Sequence, residues 1–368
     1  MTDAPMNRQR SLWTFLVLLT LIGSATADNS IKFKVRIQPR LDLGDHKGAA
    51  GDGYATRLDL YIRRSRLEVS GRPTDDMFYV LGASGDRAGQ RGSSAGAELN
   101  YAFVNYRLAP SIEVRAGLVK LPYSRSALVS SSRLLLIERT QTVNTAASAF
   151  GSYIAPHLAL HGRWHTGAIG YSLALMDGLQ PGDADRLSGQ NVSASGTPGL
   201  VGRFEISPDG WVEGGESDSH LGVGRHLTVG VNGALQSGIE FGAATEDRLV
   251  IGGDISFHQS GVSFLSEYLR VNRNGADDVA PAGWYTQVGV YIADLKLEPA
   301  VRFERYDADL PGGSDVTTAY TGGLNWYRHG HDLKIMANVV HSRFQRAVRE
   351  QDGAGSRTLL QLQNQMYF

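Results

Sequence analysis

Cysteine is absent from all 368 residues, so neither disulfides nor thiolate metal sites hold this chain together. Proline is scarce, 12 residues against 44 glycines, which leaves the chain free to run in long uninterrupted strands joined by flexible turns. Long apolar runs are missing too. Beyond residue 27 no 18 consecutive apolar residues occur, which excludes a helical membrane span there. Charge of one sign is not in excess, with 36 Lys and Arg against 37 Asp and Glu. Bulk electrostatics therefore attract no nucleic acid, and any ion preference depends on where the charges sit. No HExxH pair occurs, and neither a catalytic residue, a cofactor nor a metal is expected.

What is present is alternation. In "IKFKVRIQPRLDL" the odd positions Ile31, Phe33, Val35, Ile37, Leu41 and Leu43 are apolar, while Lys32, Lys34, Arg36 and Gln38 are polar and mostly cationic. A period of two marks a β-strand with two unlike faces. At about 3.4 Å per residue such a strand is long enough to cross a bilayer at a tilt. A cation facing lipid near mid-membrane would cost about 2–4 kcal/mol, so Lys32, Lys34 and Arg36 are expected to point into a lumen.

The two ends agree. "MNRQRSLWTFLVLLTLIGSATADNS" has Arg8 and Arg10, an apolar run from Leu12 to Ile22 and the small triplet Ala25-Thr26-Ala27, the pattern of a signal peptide cleaved after Ala27. Residues 28–368 then form one domain. The last segment, "LLQLQNQMYF", alternates Leu360, Leu362 and Met366 and stops on Phe368 within a strand, as a barrel closing its last strand on its first requires. About sixteen strands can be traced, with short connections on one side and Gly/Asp-rich ones on the other. The fold class is all-β: a transmembrane antiparallel β-barrel of the bacterial outer membrane. "SPDGWVEGGESDSH" is too long for the short-turn side, and a soluble β-sandwich leaves the two ends unexplained.

Two segments break the pattern. In the second strand Leu58, Leu60 and Ile62 set one outward phase and Leu67 and Val69 the other, so a β-bulge is expected near Arg63 and Arg64, bringing both toward the lumen unless one lies at the rim. Between "SIEVRAGLV" and "LALHGRW" lie some 38 residues without clean alternation. Leu134 to Ile137 are too apolar for water, so the segment is expected to fold into the barrel as a constriction loop, with Lys120, Arg125, Ser130, Ser131, Ser132, Arg133 and Arg139 lining the gap.

The order and spacing of "RIQPRLDL", "LYIRRSRLEVSG", "NYAFVNYRL", "SSSRLLLIER", "EYLRV", "GWYTQVGVYI", "RFERYD" and "GGLNWYRHGHDLKIMANVV" resemble the phosphate-selective porin O and P family along nearly the whole mature chain. The resemblance implies a trimeric 16-stranded porin, whose infolded loop and arginines pass phosphate-like anions by diffusion. It maps Arg36, the pair Arg63 and Arg64, and the serines Ser130 and Ser131 onto family positions. Ala127 stands where some members have a loop lysine, with Arg125 two residues earlier, and Asn100 replaces a fourth-strand acid. Two alternatives stay open: a non-selective porin, and a sealed barrel acting as receptor or adhesin. An outer-membrane hydrolase using His157, His161 and His165 is disfavoured, these being scattered wall residues, and the acidic loop with Asp177, Asp183 and Asp185 reads as a solvated outer loop rather than a Ca²⁺ site.

Overall fold

The computed structural model describes residues 31–47, 54–93, 96–195, 197–212, 217–275, 278–310 and 312–368; the expected signal peptide lies outside them. Sixteen long strands form the wall among the described residues. They are β1 (Lys32–Lys47), β2 (Tyr54–Thr74), β3 (Met77–Ser84), β4 (Glu98–Ala109), β5 (Ile112–Lys120), β6 (Ile154–Trp164), β7 (Ile169–Met176) and β8 (Gly199–Ile206). There follow β9 (His226–Phe241), β10 (Ala244–Gln259), β11 (Val262–Asn274), β12 (Ala282–Val290), β13 (Leu297–Asp307), β14 (Val316–His331), β15 (Leu333–Phe344) and β16 (Ser356–Tyr367). A two-residue strand, Ala194–Ser195, pairs with the outer end of β9.

Each strand pairs antiparallel with its neighbours in sequence, and β1 closes the ring on β16, with Arg40 opposite Gln363 and Leu41 opposite Leu362. The last residue completes the seam: Val35 N donates to Phe368 O at 3.0 Å and Phe368 N to Val35 O at 2.9 Å. Among the described residues closure leaves no unpaired edge strand, which a bilayer would not tolerate. Alternation sorts the faces as expected: Phe33 is 68% exposed on the outside, while Arg36 and Gln38 are buried inside.

The bulge is present. Gln38 pairs with Arg64 and the next residue, Pro39, with Ile62, so Arg63 is the extra residue. Pro39 has no N–H to give the ladder, which makes this the position where an unpaired residue costs least.

Residues 121–153 fold into the barrel, carrying the short helices α1 (Arg125–Leu128) and α2 (Gln141–Ser148). Leu121, Tyr123, Val143 and Phe150 pack on wall residues that are mostly small, Ala155, Ala159, Ala174 and Ala234 among them. Leu135 and Leu136 pack by Ala300 and approach Gly289 and Gly323, where a Cβ would lie 2.5 Å from each leucine side chain. The barrel's apolar core is thus made by its own loop.

Three connections differ from the sequence reading. In the over-long one between β8 and β9, Ser217, Asp218 and Ser219 are buried inside the barrel, so residues 217–219 form a second infolded segment. Residues between "LTVGVNGALQ" and "RLVIGGDISFH" extend β9 and β10 as a hairpin instead of a loop. Asp185 is not solvated: it is buried and paired with Arg248 at 2.7 Å, because the loop folds back over the barrel mouth.

Candidate functional site

The inner faces of β1 and β2 present a column of cations. Cross-strand register sets Lys34 opposite Glu68, Arg36 opposite Arg66 and Gln38 opposite Arg64, and the bulge adds Arg63 beside them. Arg40, the next inward residue beyond Pro39, follows. A sheet lays such residues in line because every second side chain shares a face.

The infolded segment meets this column at Glu138. Its carboxylate accepts from Arg63 Nε at 2.6 Å and Arg64 Nη2 at 3.2 Å, and is also bonded by Arg40. Arg40 further holds Asp42 at 2.7 Å, and Arg64 Nη1 donates to Gln38 at 3.1 Å. Burial works to raise the Glu138 carboxyl, but the fields of Arg64, Arg63 and Arg40 outweigh it and hold the group well below the usual carboxylate range. Glu138 is a latch that ties the loop to the wall through charge-assisted bonds.

Beside the latch a cavity of about 320 Å³ is lined by Lys34, Arg36, Arg66, Lys120, Ser130 and Asn100, among others. Lys34 pairs with Glu68 at 3.6 Å and Arg66 with Asp86 at 2.9 Å. Arg36 has no carboxylate within ion-pair distance among the described residues, and its Nε makes no hydrogen bond there. Lys120 Nζ donates to Val129 O at 2.9 Å, fixing the start of the infolded segment. Asn100, turned with its amide oxygen toward Arg66, accepts from Nε at 3.2 Å, so the position keeps an acceptor but no charge. Across latch and cavity, Lys34, Arg36, Arg40, Arg63, Arg64, Arg66 and Lys120 make seven cations against the four carboxylates Asp42, Glu68, Asp86 and Glu138, an excess of three positive charges.

The opposite wall is the loop's anchorage. Glu267 accepts from Arg125 N at 2.6 Å, Glu304 from Thr142 N at 2.8 Å, and Asn325 Nδ2 donates to Leu135 O at 2.8 Å. The second infolded segment joins here, with Gln287 Nε2 donating to Asp218 Oδ2 at 3.0 Å and Asp218 N to Arg133 O at 3.2 Å.

Lys34, Arg36, Lys120 and Ser130 therefore come together, while Arg63 and Arg64 gather at the latch. Arg125 lies elsewhere, buried with Nη2 3.3 Å from His226 Nε2, and Arg133 is exposed. Ser131 and Ser132 are buried, and Lys32 is exposed at the start of β1. Sequence reasoning missed Arg40, Arg66 and Glu138; the phase of each strand could have found the two arginines. His157 is buried in the wall, and His161 bonds Asn105 at 2.8 Å. The string Gly92 to Gly96 has GxSxG spacing, but it lies in the connection between two strands, and its Ser94 is outside the described residues. No three His, Asp or Glu side chains converge as a metal site among the described residues.

The fold is that of solved porins. An anion-selective porin from Comamonas acidovorans superposes with a TM-score of 0.65 at 14% identity, covering 93% of this chain and all of that one. OmpF of Salmonella typhi in complex with daunomycin gives 0.65 at 11%, covering 92% and 98%. The outer membrane channel DcaP of Acinetobacter baumannii gives 0.64 at 10%, covering 94% and 99%. An uncharacterized protein of Aquifex aeolicus is 31% identical over 370 residues, 92% of this chain and 87% of that one. The sequence model of phosphate-selective porin O and P matches residues 33–368, and the chain belongs to that outer-membrane porin family.

Proposed function

We propose that the barrel is an anion-preferring channel of the Gram-negative outer membrane, through which phosphate and related small anions pass by diffusion. The observation that carries this reading is Arg36, a buried cation without a carboxylate partner among the described residues, facing a cavity it shares with Lys34, Arg66, Lys120 and Ser130. A cation and a monoanion 4 Å apart gain about 4 kcal/mol at an effective dielectric of about 20, before desolvation. That corresponds to roughly millimolar affinity, strong enough to admit an ion and weak enough to release it. Arginine's planar fork suits phosphate oxygens, and the Ser130 hydroxyl adds a donor. Export by a signal peptide and assembly as a homotrimer belong to the same proposal, as does the absence of enzymatic chemistry.

The test is planar-bilayer recording in a salt gradient. The proposal expects discrete conductance steps, a reversal potential biased toward the anion, and block of chloride current by added phosphate. A cation-biased potential contradicts it.

A second reading is favoured by one observation: the two infolded segments touch through Asp218 and Arg133, so the lumen is crossed from both ends. A sealed barrel of this kind shows no conductance steps at any voltage.

A further inference from the structure

Outside the lumen, the outward residues of β12 to β16 fall into three cross-strand rows. The row nearest the long-loop end runs Trp284, Arg305, Thr318, Arg343, Ser356. The next runs Thr286, Phe303, Tyr320, His341, Thr358, and the third Val288, Val301, Gly322, Val339, Leu360. Descending this wall, charge gives way to aromatic and then to aliphatic surface.

The lower two rows enclose a groove of about 590 Å³ lined by Val288, Val301, Phe303, Tyr320 and Val339. Its floor is Gly322, where a Cβ would meet no atom within 4 Å. Trp284, Phe303 and Tyr320 make a continuous aromatic border, with ring centroids 5.2 and 5.3 Å apart. Above it Arg305 and Arg343 are exposed, flank Thr318 and have no carboxylate partner among the described residues. Two strand spacings put them about 10 Å apart. His341 Nδ1 lies 2.9 Å from Thr358 Oγ1, and the acid nearest in register is Asp307, two residues beyond Arg305 on the same face.

We propose that this face binds a phosphorylated, multiply acylated lipid of the outer leaflet, with a headgroup phosphate held by Arg305 and Arg343 and an acyl chain lying in the groove over Gly322. A barrel with both chain ends on the periplasmic side puts the long-loop end outside, which places these arginines at the outer-leaflet headgroups. There an outward arginine costs only about 0–1 kcal/mol and meets anionic phosphate, as in other basic lipid sites. A second copy of the chain on this face would instead have to bury two cations against a patch whose acid nearest in register, among the described residues, is Asp307. The inference depends on the barrel lying in an outer membrane, and not on what crosses the lumen.

Native mass spectrometry of the purified full chain tests it, with diphosphoryl lipid A and its dephosphorylated form as probes. The wild type is expected to retain the phosphorylated lipid in preference, with excess inorganic phosphate failing to displace it. Arg305→Ala/Arg343→Ala is expected to weaken that retention about tenfold while its heat-dependent gel mobility stays that of a folded barrel, and Arg305→Lys/Arg343→Lys to restore most of it. Gly322→Leu, which fills the groove, is expected to lower retention of both lipids. Equal retention by the alanine variant, or displacement by inorganic phosphate alone, would overturn the proposal. A change of oligomeric mass in Gly322→Leu with lipid retention intact would assign the face to a second copy.

Discussion

Glu138 accepts from three arginines brought by two strands, which divides the cationic wall between two tasks. Arg40, Arg63 and Arg64 hold the infolded segment, and Arg36, Arg66 and Lys34 are left to face the cavity. Replacing Glu138 with Gln strands the three guanidinium groups. The cost is expected at about 1–3 kcal/mol, below the roughly 3–5 of a fully buried pair, because the Glu138 side chain keeps 27% of its exposure. Thermal denaturation would register this as a lower midpoint, while bilayer recording would register stronger anion preference. The pH dependence follows from the sign of the shift. Since the arginines depress Glu138 below its ordinary value of 4.5, its stabilisation is complete above about pH 4.5 and disappears only as pH falls through the lower folded value. The difference in thermal midpoint between the wild type and Glu138→Gln should accordingly be flat from pH 7 to about pH 4.5. A difference that titrates near neutrality would assign the latch to another group. The sequence could not pick Glu138 out, since its partners lie 74 to 98 residues away and no local pattern marks one carboxylate among many.

At the scale of elements, the strands and the bulge were legible and the contacts between loops were not. Alternation in β1 and the phase change in β2 are local facts of order, and each located its feature within a residue or two. Asp218 reaching Arg133 depends on how two loops enter one lumen, and Asp185 reaching Arg248 on how a loop folds back onto strand β10; no local pattern in the sequence marks either partner. The bulge allows a sharp test. Deleting Arg63 removes the extra residue and leaves all other residues of β2 on their present faces, so the barrel should still assemble. Deleting Leu67 instead exchanges Glu68 and Val69 between lipid and lumen. Heat-modifiable mobility after refolding should survive the first deletion and vanish in the second; survival of both would mean that register here is not set by the two faces. The loop's seat is equally specific. Gly289→Leu places a side chain where Leu135 now lies, since even a Cβ would come within 2.5 Å of its Cδ1. Displacement of the segment should appear as larger and noisier conductance, and unchanged conductance would remove the glycine from the account.

For the whole molecule, the exterior is fixed by the bilayer and the interior by the infolded chain, and the two meet in strands that are apolar outward and charged inward. Closure of β16 on β1 places the first-strand cations at the seam, where Tyr367 opposes Arg36. An excess of three positive charges across latch and cavity is the physical ground for the proposed anion preference. The most direct measurement is the reversal potential of single channels in a phosphate gradient, compared between the wild type and Arg36→Ala/Arg66→Ala. The account predicts an anion-biased potential that moves toward zero in the double variant with conductance steps retained. A potential that is cation-biased in the wild type, or identical in the two proteins, would contradict it.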